Sequence, residues 1–137
     1  MNYCDFLLNI NKLFCDEAKI RTKKMEVFVV IGKAIDDALS TDNYEDLLNL
    51  AMRAAALIKM FQPFMDGNHR TALAVFGKIL NEKGYSFDYD RALQDMSKGK
   101  LNLPTLYDET DSVTFPSKWV DYISGSLEGT FEIKKQI

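Results

Sequence analysis

Between Tyr44 and Phe61 apolar residues recur at helical spacing for almost five turns, and the run is then cut by Pro63. Tyr44, Leu47, Leu48, Ala51, Ala54, Ala55, Ile58 and Phe61 share one face, the signature of an amphipathic helix with a packed side. Proline disfavours helical geometry in the residue before it, so the helix stops at Gln62. Ala51, Ala54, Ala55 and Ala56 leave room for a neighbouring helix to come close, which makes this the central helix of the fold. The polar break Ser40-Thr41-Asp42-Asn43 just ahead of it offers several N-caps.

The same period runs through most of the chain. Phe6, Leu7, Ile10, Leu13 and Phe14 mark one face of a first helix. Met25 to Leu39 forms a second apolar segment. Its β-branched run, Val27, Val29, Val30 and Ile31, suggests a strand until Ile35 and Leu39 restore the helical spacing. Beyond Gly67 a new stripe begins with Leu73, Phe76, Ile79 and Leu80 and ends at Gly84, a suitable residue just past a helix end. Arg91 to Met96 reads as a short helix, and Leu101 to Thr114 is the least regular stretch. Pro116 suits the first turn of a segment carrying Trp119, Val120 and Ile123, and the tail from Gly129 to Ile137 reads as loosely held. The expected fold class is therefore all-α, in a single domain over residues 1–137.

Composition narrows the function classes. A net charge of −3 argues against a dedicated nucleic-acid binder, which usually carries a basic excess. No run approaches the ~20 apolar residues that span a bilayer, and the N-terminus lacks a signal peptide's basic start and apolar run. The expectation is a cytoplasmic protein with no membrane partner. Cys4 and Cys15 lie 11 residues apart in what reads as one helix; at 1.5 Å per residue that is about 16 Å, too far for a disulfide. Two cysteines and one histidine also make a poor structural zinc set, so both thiols are read as buried.

One segment carries chemistry: Gln62-Pro63-Phe64-Met65-Asp66-Gly67-Asn68-His69-Arg70. It is a short turn between two apolar helices, and its polar groups gather at the start of the second. A helix N-terminus presents unpaired N–H groups and a partial positive charge, so it favours anions. Gly67 lets the backbone approach a ligand, Asn68 can cap the helix or donate to a phosphate, and Arg70 adds a planar cationic fork. Asp66 could hold Mg²⁺, which takes one or two carboxylates together with phosphate oxygens. The plainer alternative is a tight turn and N-cap with Arg70 in solvent. It is the weaker one here because so many distinct requirements fall within one short segment.

The segment resembles the Fic/Doc family signature, His-Pro-Phe-x-Asp/Glu-Gly-Asn-Gly/Lys-Arg-x-x-Arg. The core Pro63-Phe64-x-Asp66-Gly67-Asn68-x-Arg70 matches in full, and the alanine-rich helix feeding it fits the wider pattern. The resemblance implies a Fic-type helical bundle with the active-site loop between the central helix and the next, and a small β-hairpin flap that docks the target. Ile20-Arg21-Thr22-Lys23-Lys24 is either a solvated basic loop or a contributor to that flap. The implied activity is protein AMP transfer (adenylylation) from ATP with Mg²⁺ onto a Ser, Thr or Tyr hydroxyl. Asp66 becomes the metal ligand, Gly67, Asn68 and the His69 backbone the phosphate cradle, and Arg70 the first arginine. The implied partners are a nucleotide and a target protein, with a second copy of the chain or an antitoxin as further candidates.

Two positions depart from that pattern. Gln62 stands where the family has its catalytic histidine, and a carboxamide has no useful basicity near pH 7. General-base catalysis is worth about 10²–10⁴-fold, so catalysis is expected to be impaired or lost. His69 is read as facing solvent or phosphate rather than as a replacement base. Leu73 stands where many members have a second arginine; it falls on the apolar stripe, and Doc-like members that transfer phosphate also have leucine there. Near the C-terminus, Ser124-Gly125-Ser126-Leu127-Glu128-Gly129 resembles the family's inhibitory pattern, so residues 116–129, with Ser124 and Glu128, read as either an inhibitory segment or a plain helix end. Beside a nucleotide-binding domain of impaired activity stand two alternatives: a Doc-like phosphotransferase and a non-catalytic interaction module of toxin–antitoxin type.

Overall fold

The computed structural model describes residues 3–15, 17–22, 24–99 and 134–135. Within them the chain is mostly helical: α1 (Tyr3–Asn11), α2 (Glu26–Ser40), α3 (Tyr44–Phe61), α4 (Asn68–Glu82) and α5 (Tyr89–Ser97), with two two-residue strands, β1 (Tyr85–Ser86) and β2 (Lys134–Lys135). None of these helices is long and apolar enough to cross a membrane.

The pair α3 and α4 forms the heart of the bundle. The side chains of Ala51, Ala54, Ala55 and Ala56 are fully buried, and their small size lets neighbouring helices pack closely against α3. Asn43 caps α3 through its Oδ1, which accepts from the Asp46 amide at 3.0 Å, and this is the polar break expected ahead of the central helix. At the other end α4 closes at Lys83, and Gly84 follows with φ +90° and its amide on the Asn81 carbonyl at 3.1 Å. That left-handed residue just past a helix end is where glycine costs least.

The run Val27–Ile31 is helical, and its residues divide between two faces. Val27, Phe28, Ile31, Ala34, Ile35 and Ala38 are buried, while Val29 and Val30 face outward. The first helix is shorter than its apolar spacing suggests. Lys12 still bonds the Leu8 carbonyl, but Leu13 and Phe14 bond Ile10 and Asn11, the tighter i→i+3 pattern of a closing turn. Leu13 consequently points into solvent at 75 % exposure. Cys15 lies beyond the helix, and both Cys4 and Cys15 carry free thiols.

The last described residues return to the body of the fold. Lys134 and Lys135 pair antiparallel with Ser86 and Tyr85, so this part of the tail is tied down rather than loose. The stretches read from sequence as an irregular segment (101–114), a helix starting at Pro116, and the inhibitory segment with Ser124 and Glu128 lie outside the described residues. Among the described residues no β-hairpin stands beside the loop after α3. A different strand-like contact is found there.

Candidate functional site

The loop between α3 and α4 begins with a backbone outlier. Gln62 sits in the left-handed region at φ 46°, ψ 61°, with its amide still bonded to the Ile58 carbonyl at 2.9 Å. It is the one non-glycine residue with positive φ among the described residues. Pro63 removes the helical option for the residue before it, and the left-handed turn swings the chain sharply away from α3. Pro63 and Phe64 are buried, and Phe64 packs edge-on to Phe28 at 6.1 Å. Phe64 thus anchors the loop in the core.

Two clamps then set the loop's shape. Asn68 Nδ2 donates to the Phe64 carbonyl at 2.9 Å, and the Phe64 amide donates to Asn68 Oδ1 at 3.0 Å. This reciprocal pair closes residues 64–68 into a ring, so both ends of the Asn68 carboxamide are spent on holding the loop. The second clamp comes from residues 19–22. Arg21 and Thr22 donate their amides to the Pro63 carbonyl at 2.7 and 3.4 Å, and the Met65 amide donates to the Lys19 carbonyl at 2.9 Å. Ile20 and Phe64 form an antiparallel bridge between the two segments. The Arg21 side chain adds Nε to the Gln62 carbonyl at 2.8 Å and Nη2 to the Phe61 carbonyl at 2.9 Å. A cation there satisfies the open carbonyls at the end of α3 and complements their partial negative charge.

Gly67, at φ 73°, ψ 18°, opens α4 with no side chain capping it. The first bond of the helix joins the Thr71 amide to the Gly67 carbonyl at 2.9 Å. The amides of Asn68, His69 and Arg70 therefore have no helical partner, and none is supplied among the described residues. The Gly67 amide donates to Asp66 Oδ1 at 2.8 Å. Arg70 lies over the Phe14 ring at 5.7 Å, and Phe14 stacks on Tyr89 at 5.8 Å. No carboxylate neutralises Arg70 among the described residues. The Tyr89 hydroxyl donates to the Arg70 carbonyl at 3.4 Å. Burial pushes this phenol up to about 12, against the lowering effect of Arg70 and with a smaller contribution from Asp90, so it remains a neutral donor.

These features surround one open cavity of about 330 Å³, lined by Gln62, Met65, Asp66, Gly67, Asn68, His69 and Arg70. Every described residue singled out for the loop's chemistry is brought to it. His69 and Gln62 are exposed on its walls. Leu73 is fully buried and takes no part. Among the described residues no donor reaches Oδ2 of exposed Asp66, while Oδ1 holds the Gly67 amide. Among the described residues no three His, Cys, Asp or Glu side chains gather to hold a metal. A single carboxylate still fits Mg²⁺ that arrives with phosphate oxygens and water.

Sequence reasoning missed four contributors: Asn11, Phe14 in its contact with Arg70, Arg21 in its capping role, and Tyr89. Asn11 is fully buried, and its Nδ2 donates to the Asp66 carbonyl at 2.8 Å and to Thr71 Oγ1 at 3.1 Å. Its signal was present, since it stands four residues after Leu7 on an apolar stripe, where a polar residue asks for a reason. Arg21 and Tyr89 gave no local sign, because their partners lie 41 and 19 residues away. No family model matches the chain, and no curated protein or solved structure does either.

Proposed function

We propose that the chain is a Fic-type domain that binds a nucleotide with Mg²⁺ at the loop Gln62–Arg70, with transfer of AMP from ATP to a protein hydroxyl impaired by Gln62. The observation that carries this reading is the cavity itself. Asn68, His69 and Arg70 with their three unpaired amides, the un-neutralised Arg70 side chain and the Asp66 carboxylate line one space, and Gly67 lets the loop close down on Asn11 and Cys15 behind it. Anions gain from helix N-termini and from a cationic fork, and a phosphate chain is the ligand that uses both together with a carboxylate-held cation. In this reading the amides of Asn68, His69 and Arg70 receive phosphate oxygens and Arg70 grips an outer phosphate. Mg²⁺ would be held by Asp66 and would neutralise the phosphates.

Gln62 lines the cavity at the position of the base, with a side chain that donates and accepts but does not take up a proton near pH 7. It can orient a hydroxyl, so slow transfer is the most that is expected. Burial of Leu73 leaves one arginine on the phosphates and keeps terminal-phosphate transfer of the Doc type as the second reading. A solution calorimetric titration with ATP and Mg²⁺ tests the proposal. Binding is expected in the wild type and loss of at least tenfold in affinity in Arg70→Ala. No heat and no competition with millimolar ATP would leave an interaction module as the surviving reading.

A further inference from the structure

We propose that Asn11 is a positioning residue of the anion cradle, turning the Asp66–Gly67 peptide so that its N–H faces the ligand side; this role rests on the nucleotide reading of the loop. Asn11 occupies the buried stripe of α1, completely hidden from solvent. Its Oδ1 finds no hydrogen-bond partner among the described residues. An unpaired buried acceptor opposes folding, so an aliphatic residue would serve the packing of α1 better. What Asn11 contributes is directed at the loop. Its Nδ2 reaches across 55 residues to the Asp66 carbonyl at 2.8 Å and across 60 to Thr71 Oγ1 at 3.1 Å. Those two positions bracket the turn, whose residues Asn68, His69 and Arg70 present the free amides.

The consequence follows from peptide geometry. A trans peptide points its C=O and N–H in opposite directions. Anchoring the Asp66 oxygen to buried Asn11 turns the Gly67 N–H to the opposite side, where it donates to Asp66 Oδ1 at 2.8 Å. One bond therefore orients both the peptide that leads into the cradle and, through the Gly67 N–H, the carboxylate proposed to hold the cation. Asn11 also lies directly beneath Gly67. A Cβ added there would come within 3.1 Å of Asn11 Nδ2 and 2.9 Å of Cys15 Sγ. Side chains from α1 and the turn after it thus form the floor of the turn.

The test is Asn11→Leu, which fills a similar shape without the donor, with Asn11→Ala as a second variant should leucine overpack the site. Mg·ATP affinity is expected to fall about tenfold, the equivalent of one net hydrogen bond, while the thermal midpoint stays near wild type. Hydrogen exchange at the Gly67 amide, measured without ligand, is expected to accelerate. Wild-type affinity and wild-type Gly67 exchange in both Asn11 variants would overturn the proposal, as would losses that merely track global destabilisation. If the wild type binds no Mg·ATP, the nucleotide reading fails, and Gly67 exchange alone decides the role of Asn11.

Discussion

Gln62 combines a backbone that suits glycine with a side chain that faces the cavity. An L-residue in the left-handed region costs about 1–2 kcal/mol relative to its ordinary conformations. Gln62→Gly is therefore expected to stabilise the fold by about 1 kcal/mol, read as a rise of a few degrees in the thermal midpoint. Histidine is among the residues that tolerate positive φ, so Gln62→His should fold as well as the wild type. It places an imidazole at the position of the proposed base, and label from ATP on protein is expected to increase by up to about 10²-fold. An inert Gln62→His protein that still binds nucleotide would put the block at Leu73 or in the C-terminal segment instead. Backbone strain kept at a residue that lines a cavity is a pointer to function, and the glycine variant measures how much strain is kept.

Elements divide into those whose ends are written locally and those whose ends are not. The spacing of Leu47, Leu48, Ala51 and Ile58, the Asn43 cap, Pro63 and Gly84 place α3 and α4 almost to the residue, because each signal acts within a turn or two of its own position. The early end of α1 has no proline or glycine to announce it. It follows from Phe14 leaving the helix to meet Tyr89 and Arg70, contacts with residues far along the chain. That the polar residues of the loop gather at one turn was legible for the same local reason, whereas the clamp by residues 19–22 was not. Arg21 is the test at this scale. Arg21→Ala is expected to cost about 0.5–1 kcal/mol in chemical denaturation through loss of its two carbonyl bonds at the end of α3. Arg21→Lys should recover only part of that, since an ammonium lacks the fork that spans both carbonyls.

At the scale of the molecule, Tyr89 joins α5, the turn after α1 and the start of α4 through Phe14 and the Arg70 carbonyl. Its phenol is raised from an ordinary value of 10.0 to about 12, chiefly by burial. A group whose folded pKa is raised binds its proton more tightly in the native state. Its contribution is complete below pH 10 and is lost as pH climbs towards 12. The unfolding free energy is therefore expected to fall across that alkaline window, and Tyr89→Phe is expected to flatten the fall. Burial also raises Tyr44, helped by Tyr85, so some alkaline slope should remain in the variant. A slope identical to wild type in Tyr89→Phe would mean that the hydroxyl is not held as its surroundings indicate.

The ring closed by Asn68, the rail of residues 19–22 and the prop of Asn11 leave the cradle little freedom to rearrange. A site completed during folding loses little conformational entropy when a ligand enters. Association should then be limited by encounter and orientation, with a single kinetic phase whose rate rises linearly with ligand concentration. The heat capacity change should be small, reflecting the ligand's own desolvation rather than ordering of the chain. Under the nucleotide reading, different anions would then enter such a site at similar rates, and discrimination between them would appear mainly in how long each one stays.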